Sequence, residues 1–255
     1  AVDLCGATPV LVDIDPTTLG IDPAMLDAAI SPQTKAIVPV HVSGRSARLS
    51  EIQEIAERRD VIIIEDAAEA FMSMTENGYL GTQGLAGCFS FSANKLITTG
   101  QGGIVVTNDD KVNRRLRQLK DQGRQGRGTG GDDDHYIRGY NFKMTDLQAG
   151  VGLGQLETLS WRMQRLTRTH QIYAEKLSDV PGVALLPFAI EKGELPLWTD
   201  AIIEKRDELV SNLAQNGMEC RKFWHPLHTQ APYYGNDSDF PVATEKSKKA
   251  VWLPS

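Results

Sequence analysis

The sequence predicts an α/β fold in which a larger first part holds a mostly parallel sheet and a smaller α+β part follows. Three observations carry this. Val61-Ile-Ile-Ile64 is a continuous β-branched run, the mark of a strand buried on both faces. Apolar bursts alternate with amphipathic stretches through the first half, the pattern of strands joined by helices. From Thr145 to Leu177 an apolar stripe recurs at helical spacing, through Leu147, Val151, Leu156, Leu159 and Met163. A helix of that length suits a bridge between domains, which places residues 1–145 in the larger domain and 146–255 in the bridging helix and the smaller one.

The elements follow in order. Val10–Ile14 reads as a strand. Asp22 is an N-cap candidate with Pro23 at the first helical position, opening a helix to Ile30. Lys35–Val40 is the next strand. Ser50 begins a helix through Arg58, with Ile52, Ile55 and Ala56 on one face. Cys88–Phe91 and Gly103–Thr107 are two further strands. Gln122–Asp134 is polar and glycine-rich, a surface loop or a loop over a substrate or partner. Asp207–Asn216 is a helix stopped by Gly217, and Met218–Phe223 is a strand.

Composition excludes several classes. The 255 residues carry a formal charge of −6, which argues against a nucleic-acid-coating protein. The longest apolar run, Gly182–Ile190, falls well short of the ~20 residues a bilayer span needs. The three cysteines form no CxxC and the five histidines no HExxH, so no disulfide framework or metal site is expected and a cytoplasmic location fits. The chain opens on Ala1 and stops after Trp252-Leu-Pro-Ser255, which reads as an internal piece of a longer protein.

Two segments carry chemistry. In Ile64-Glu-Asp-Ala-Ala-Glu-Ala70 an acidic pair follows a buried strand, at the edge of the sheet where α/β folds bind ligands; taken alone, Asp66 reads first as a helix cap. In Phe89-Ser-Phe-Ser-Ala-Asn-Lys95, followed by Thr98-Thr-Gly-Gln-Gly-Gly103, one lysine stands among aromatics, hydroxyls and glycines. A desolvated lysine loses basicity, and its neutral amine can attack a carbonyl. The hydroxyls of Ser90, Ser92, Thr98 and Thr99 suit a phosphate. Alone, Lys95 reads as a surface lysine on a turn. Together, a lysine that can form an imine and a carboxylate that can keep a pyridine nitrogen protonated are what pyridoxal 5'-phosphate needs.

These motifs resemble the DegT/DnrJ/EryC1/StrS family of sugar aminotransferases, which have the aspartate-aminotransferase (PLP type I) fold. The resemblance rests on Gly6–Asp15, on Lys35-Ala-Ile-Val-Pro-Val-His-Val-Ser-Gly44, on Glu65-Asp-Ala-Ala-Glu-Ala70 and on the Cys88–Gly103 lysine segment. It continues through Arg138–Gln148, Arg221–His228 and Phe240–Ala243, and within the family it is most similar to perosamine-synthase-like members.

The resemblance implies a role for each matching residue. Lys95 would hold the cofactor and carry the proton between carbons; relatives with His here are dehydratases. Asp66 would pair with the pyridine nitrogen. Glu69, where relatives often have Gln or His, would lie near the ring hydroxyl. Ser90 would bind the phosphate, and Asn141 or Lys143 would reach it from a second subunit, which implies a homodimer with shared sites. His225, His228 and Arg221 are candidates for substrate contact; a structural place, or for Arg221 a salt bridge, is the alternative. His41 reads as structural. The family's leading segment, with its phosphate loop and ring-stacking aromatic, has no counterpart here, so the chain by itself is expected to hold cofactor poorly. The implied reaction moves an amino group from L-glutamate to a keto group, at C4, of a nucleotide-linked deoxy sugar, for surface polysaccharide or related amino-sugar synthesis. The alternatives are a sugar dehydratase or cyclitol aminotransferase on the same cofactor, and a non-catalytic homologue that binds sugar nucleotide.

Overall fold

The computed structural model describes residues 1–125 and 134–255. Their helices and strands run in chain order as α1 Pro23–Ala29, β1 Ala36–Ile37, α2 Leu49–Arg59, β2 Ile62–Asp66, the hairpin β3 Met74–Thr75 and β4 Gly78–Tyr79, β5 Ala86–Ser90, β6 Gly103–Val106, α3 Asp110–Lys120, α4 Asp146–Leu156, α5 Leu159–Leu177, β7 Val183–Leu185, β8 Asp200–Ile203, α6 Arg206–Gln215, β9 Arg221–Lys222, α7 Pro241–Lys249 and β10 Ala250–Trp252. The first sheet has the order β1-β2-β5-β6, with β1, β2 and β5 parallel and β6 antiparallel at the edge. The second, β7-β8-β10-β9, is antiparallel throughout. A mostly parallel four-stranded sheet followed by an antiparallel one of equal strand number is the α/β architecture the sequence predicts.

Helix α1 starts where its cap does. Asp22 Oδ1 accepts from the amides of Ala24 and Met25, and Pro23 occupies the first helical position. The main core packs Leu26 of α1 and Ile52, Ile55 and Ala56 of α2 against Ile37 and Ile63 of the sheet. Ile52 is wholly buried, worth about 1.5–3 kcal/mol in removed apolar surface. Helix α6 ends at Gln215 with Asn216 as its C-cap, and Gly217, at φ +71°, takes the left-handed position beyond it, as the sequence predicts.

Four expectations need correction. Val10–Ile14 is not a strand: only Ile14 bridges, to Ile21. The side chain of Asp13 is drawn to the start of α7, and Asp15 caps the turn at Thr17 and Thr18, so the chain bends before a ladder can form. Strand β2 is not buried on both faces, since Ile62 is 45% exposed while Ile63 is buried. The strand expected over Met218–Phe223 shrinks to Arg221–Lys222. The single helix expected over Thr145–Leu177 is two. Thr158 leaves helical geometry, its hydroxyl bonding back to the Gln155 carbonyl and accepting from Arg162 Nε, a local alternative to the helix ladder. The break divides the stripe. Leu159, Met163 and Leu166 of α5 pack on Leu96, Leu195 and Leu197, while Leu147 and Leu153 of α4 stand 84% and 66% exposed. Of the glycine-rich Gln122–Asp134 segment, residues 126–133 lie outside the described residues.

Candidate active site

The site forms where β2 and β5 end side by side. In register, Asp66 pairs with Cys88, and the Ala67 amide donates to the Cys88 carbonyl over 2.9 Å. The Asp66 side chain accepts from the Ala68 amide at 3.1 Å, which turns the chain and leads to Glu69. Phe71 meets the edges of both Phe89 and Phe91, at 5.8 and 5.6 Å between centroids, and so clamps the turn after β2 onto β5. Burial and the neighbouring Asp66 charge push the Cys88 thiol up, which keeps it protonated and inert.

Lys95 stands on a loop that closes on Phe91. The Phe91 amide donates to the Gly102 carbonyl, and its carbonyl accepts from the Thr99 amide and the Thr98 hydroxyl. The Ser92 carbonyl accepts from the Lys95 amide at 3.1 Å. This frame directs Lys95 Nζ to Glu69 Oε1, 3.1 Å away, with the two side chains 12% and 10% exposed. On the other flank the hydroxyls of Ser90 and Ser92 lie 2.9 Å apart, and the Ser92 amide donates to Ser90 Oγ.

Glu69 is held from behind. Its Oε2 accepts from the Ser43 amide at 3.0 Å. Ser43 and Gly44 take successive left-handed conformations, at φ +56° and +96°. For Ser43 this costs about 1–3 kcal/mol. At Gly44 a side chain is impossible, because a Cβ would lie 2.0 Å from the Leu195 carbonyl oxygen.

The acidic pair Glu65-Asp66 divides into two unlike residues. Glu65 is fully buried and points away from Asp66. Its Oε2 takes the Gly81 amide and His41 Nε2, at 2.7 and 2.9 Å, and its Oε1 takes the amides of Gln83 and Gly84, both at 2.6 Å. Since His41 Nδ1 accepts from the Ala47 amide, Nε2 carries the proton and donates. Burial pushes the Glu65 carboxyl up, but His41 and the amides outweigh it and hold it below the ordinary glutamate value. His41 is therefore structural, as the sequence reading has it. Sequence reasoning did not separate Glu65 from Asp66. The signal was present in the period of two, which puts Glu65 on the face of buried Ile63.

The other candidates lie elsewhere. Asn141 bridges Asp121, and Lys143 Nζ sits 2.6 Å from Asp121 Oδ1, on an exposed segment where Tyr140 and Phe142 stack at 4.9 Å. His225 and His228 line an apolar cavity of about 210 Å³ that reaches from Leu11 and Val42 to Phe223 and Phe240. His228 is 2% exposed, stacked on Phe240 at 4.5 Å, with Asp237 and Thr244 each 3.2 Å from Nε2. The Arg221 guanidinium lies 5.0 Å above the Trp252 ring. The structure thus brings Lys95, Glu69, Asp66 and Ser90 to one sheet edge, and puts the remaining candidates on other surfaces.

That donor set suits pyridoxal phosphate. It offers an amine for an aldehyde, a carboxylate fixed by a backbone amide for a ring nitrogen, and paired hydroxyls for a phosphate.

Comparison with known proteins agrees. A model of the DegT/DnrJ/EryC1/StrS aminotransferase family matches residues 1–255. GDP-perosamine synthase of Caulobacter vibrioides is 37% identical over 242 residues, covering 91% of this chain and 64% of that protein, so the chain spans just under two thirds of that relative's length. Among solved structures, S. venezuelae DesV in complex with a ketimine intermediate superposes with a TM-score of 0.91 at 29% identity, covering 99% of this chain and 68% of that one. E. coli GDP-4-keto-6-deoxy-D-mannose-3-dehydratase with bound hydrated PLP superposes with a TM-score of 0.82 at 28% identity, covering 96% and 69%.

Proposed function

Since the chain belongs to the DegT/DnrJ/EryC1/StrS aminotransferase family, we propose that the protein is a pyridoxal-phosphate-dependent aminotransferase acting on a nucleotide-linked keto sugar, with L-glutamate as amino donor. The observation that carries this is the pairing of Lys95 with Glu69 beside Asp66, at the ends of two adjacent parallel strands. Lys95 Nζ would hold the cofactor, Asp66 its ring nitrogen and Ser90 its phosphate, with Asn141 or Lys143 of a second copy completing the phosphate site in a homodimer. When bound, pyridoxal phosphate supplies a ring that withdraws electrons from the carbon bearing the amine.

The chain's own residues do the rest. Lys95, when its amine is free, carries the proton between the two carbons that exchange it, the positioned acid–base role. Glu69, at 3.1 Å, accepts from that amine and fixes its direction. The Asp66 carboxylate, oriented by the Ala68 amide, favours a protonated ring nitrogen. Two carbonyl substrates using one site in turn give ping-pong kinetics. The C4 position of the sugar and a place in polysaccharide synthesis are the finer parts of this reading.

A dehydratase is the second reading, favoured by the superposition on one. Lys95 speaks for amino transfer, because a lysine that returns the proton to the substrate carbon completes it. Incubation with pyridoxal phosphate, L-glutamate and a nucleotide-linked 4-keto-6-deoxy sugar separates the two. Amino sugar and 2-oxoglutarate in equal amounts support the aminotransferase; a deoxygenated keto sugar formed with 2-oxoglutarate and free ammonia, and no amino sugar, refutes it.

A further inference from the structure

Ser43 spends every polar group it has, on three different segments. Its amide donates to Glu69, its hydroxyl donates to Asp200 Oδ1 at 3.0 Å, and its carbonyl accepts from the Leu197 amide at 3.0 Å. It does so without exposed surface and with its backbone held left-handed. Asp200, first residue of β8, is fully buried and turns its second oxygen to Arg45 Nη2 at 2.5 Å. Arg45, 2% exposed, donates further to the carbonyls of Pro187 and Thr18 and stacks on the Phe188 ring at 4.2 Å. A continuous line of contacts thus runs from a strand of the second sheet to the ammonium of Lys95.

An ion pair this far from water is a poor source of stability compared with packed apolar side chains. What the pair fixes is geometry. Asp200 holds the Ser43 hydroxyl, which orients the Ser43 amide toward Glu69 Oε2, which leaves Oε1 aimed at Lys95. Among the charged groups that face Glu69 are Lys95, at 3.1 Å, and Asp200 from β8, whose carboxyl is pushed up first by burial and further by the Glu69 charge.

We propose that Asp200, Arg45 and Ser43 are positioning residues that hold the Glu69 carboxylate against Lys95 and so fix the direction and reactivity of the Lys95 amine. The proposal rests on the reading of Lys95 as the reactive lysine, yet its test needs no cofactor. Trace acetic anhydride labels amines according to their reactivity, and mass spectrometry of the Lys95 peptide at one fixed pH reads that one amine in the full-length protein. Glu69→Gln removes the charged acceptor and raises Lys95 labelling at fixed pH by about tenfold. Ser43→Gly keeps the left-handed backbone but loses the hydroxyl, and shifts labelling the same way by about threefold; Asp200→Asn acts alike. Asp200→Asn leaves Arg45 buried without its charge partner and can fail to fold, in which case Ser43→Gly decides. In the Glu69→Gln background Ser43→Gly has no further effect, because Ser43 acts through Glu69. A Ser43→Gly protein with the parental Lys95 labelling, or one whose effect is equal in both backgrounds, overturns the proposal. The cofactor reading fails by a different result, a Lys95→Ala protein that still carries the cofactor's visible band.

Discussion

Lys95 Nζ and Glu69 Oε1 meet at 3.1 Å, brought together by two loops that leave neighbouring parallel strands. Neither residue is more than about an eighth exposed, so their interaction is screened far less than a surface pair. Glu69→Gln keeps the shape and removes the charge. It is expected to lower kcat for amino transfer by about 10–100-fold, or roughly 1.4–2.7 kcal/mol, with a smaller change in KM for the donor. Steady-state kinetics with L-glutamate check this; an unchanged kcat would remove Glu69 from the reaction.

Asp66 offers the test of the ring-nitrogen assignment. Asp66→Asn retains an oxygen for the Ala68 amide, so the turn after β2 survives. A neutral partner no longer favours a charged pyridinium, and kcat is expected to fall by about 100-fold or more. Circular dichroism is expected to be unchanged. A variant with near-parental activity would show that Asp66 merely caps the turn.

Glu65 governs stability rather than chemistry. Its native value lies below the ordinary 4.5. The stabilisation it gives is therefore complete above pH 4.5 and is lost as pH falls through the lower native value. Glu65→Gln is expected to lose that part of the acid dependence, so the difference in melting temperature from the parent is largest above pH 5 and narrows toward pH 3. Glu65→Ala, which strands His41 and three amides in the core, costs about 3–5 kcal/mol. Thermal melts across pH check both; parallel curves would show that Glu65 carries no linked proton.

Asp13 ties the start of the chain to its end. Its two carboxylate oxygens accept from the amides of Val242 and Ala243, both at 2.9 Å, capping α7 from a distance in sequence. Asp13→Ala is expected to cost about 1–2 kcal/mol, a fall of roughly 2–8 °C in Tm. A melt within 1 °C of the parent would contradict the capping role.

What the sequence made legible was local. Asp22 with Pro23, Gly217 after its helix, and the run ending at Asp66 each act within a few residues, and each stands where it was expected. Lys95 and Asp66 stand out in the sequence because a lysine and a carboxylate following apolar strands are unusual there. The rest depended on distant partners. Ser43 and Asp200 are 157 residues apart, and neither has a local pattern that announces the other. The break at Thr158 hid inside an unbroken apolar stripe, whose halves face different neighbours. Val10–Ile14 has strand composition, but Asp13 and Asp15 are claimed by caps and no ladder forms.

The most direct test is the visible spectrum of the full-length protein with pyridoxal phosphate, before and after L-glutamate, beside a Lys95→Ala control. The account predicts an absorption band of the lysine-bound cofactor that glutamate converts to the pyridoxamine form and that the control lacks. The absence of any band in the intact protein, or a band that persists in Lys95→Ala, would contradict it.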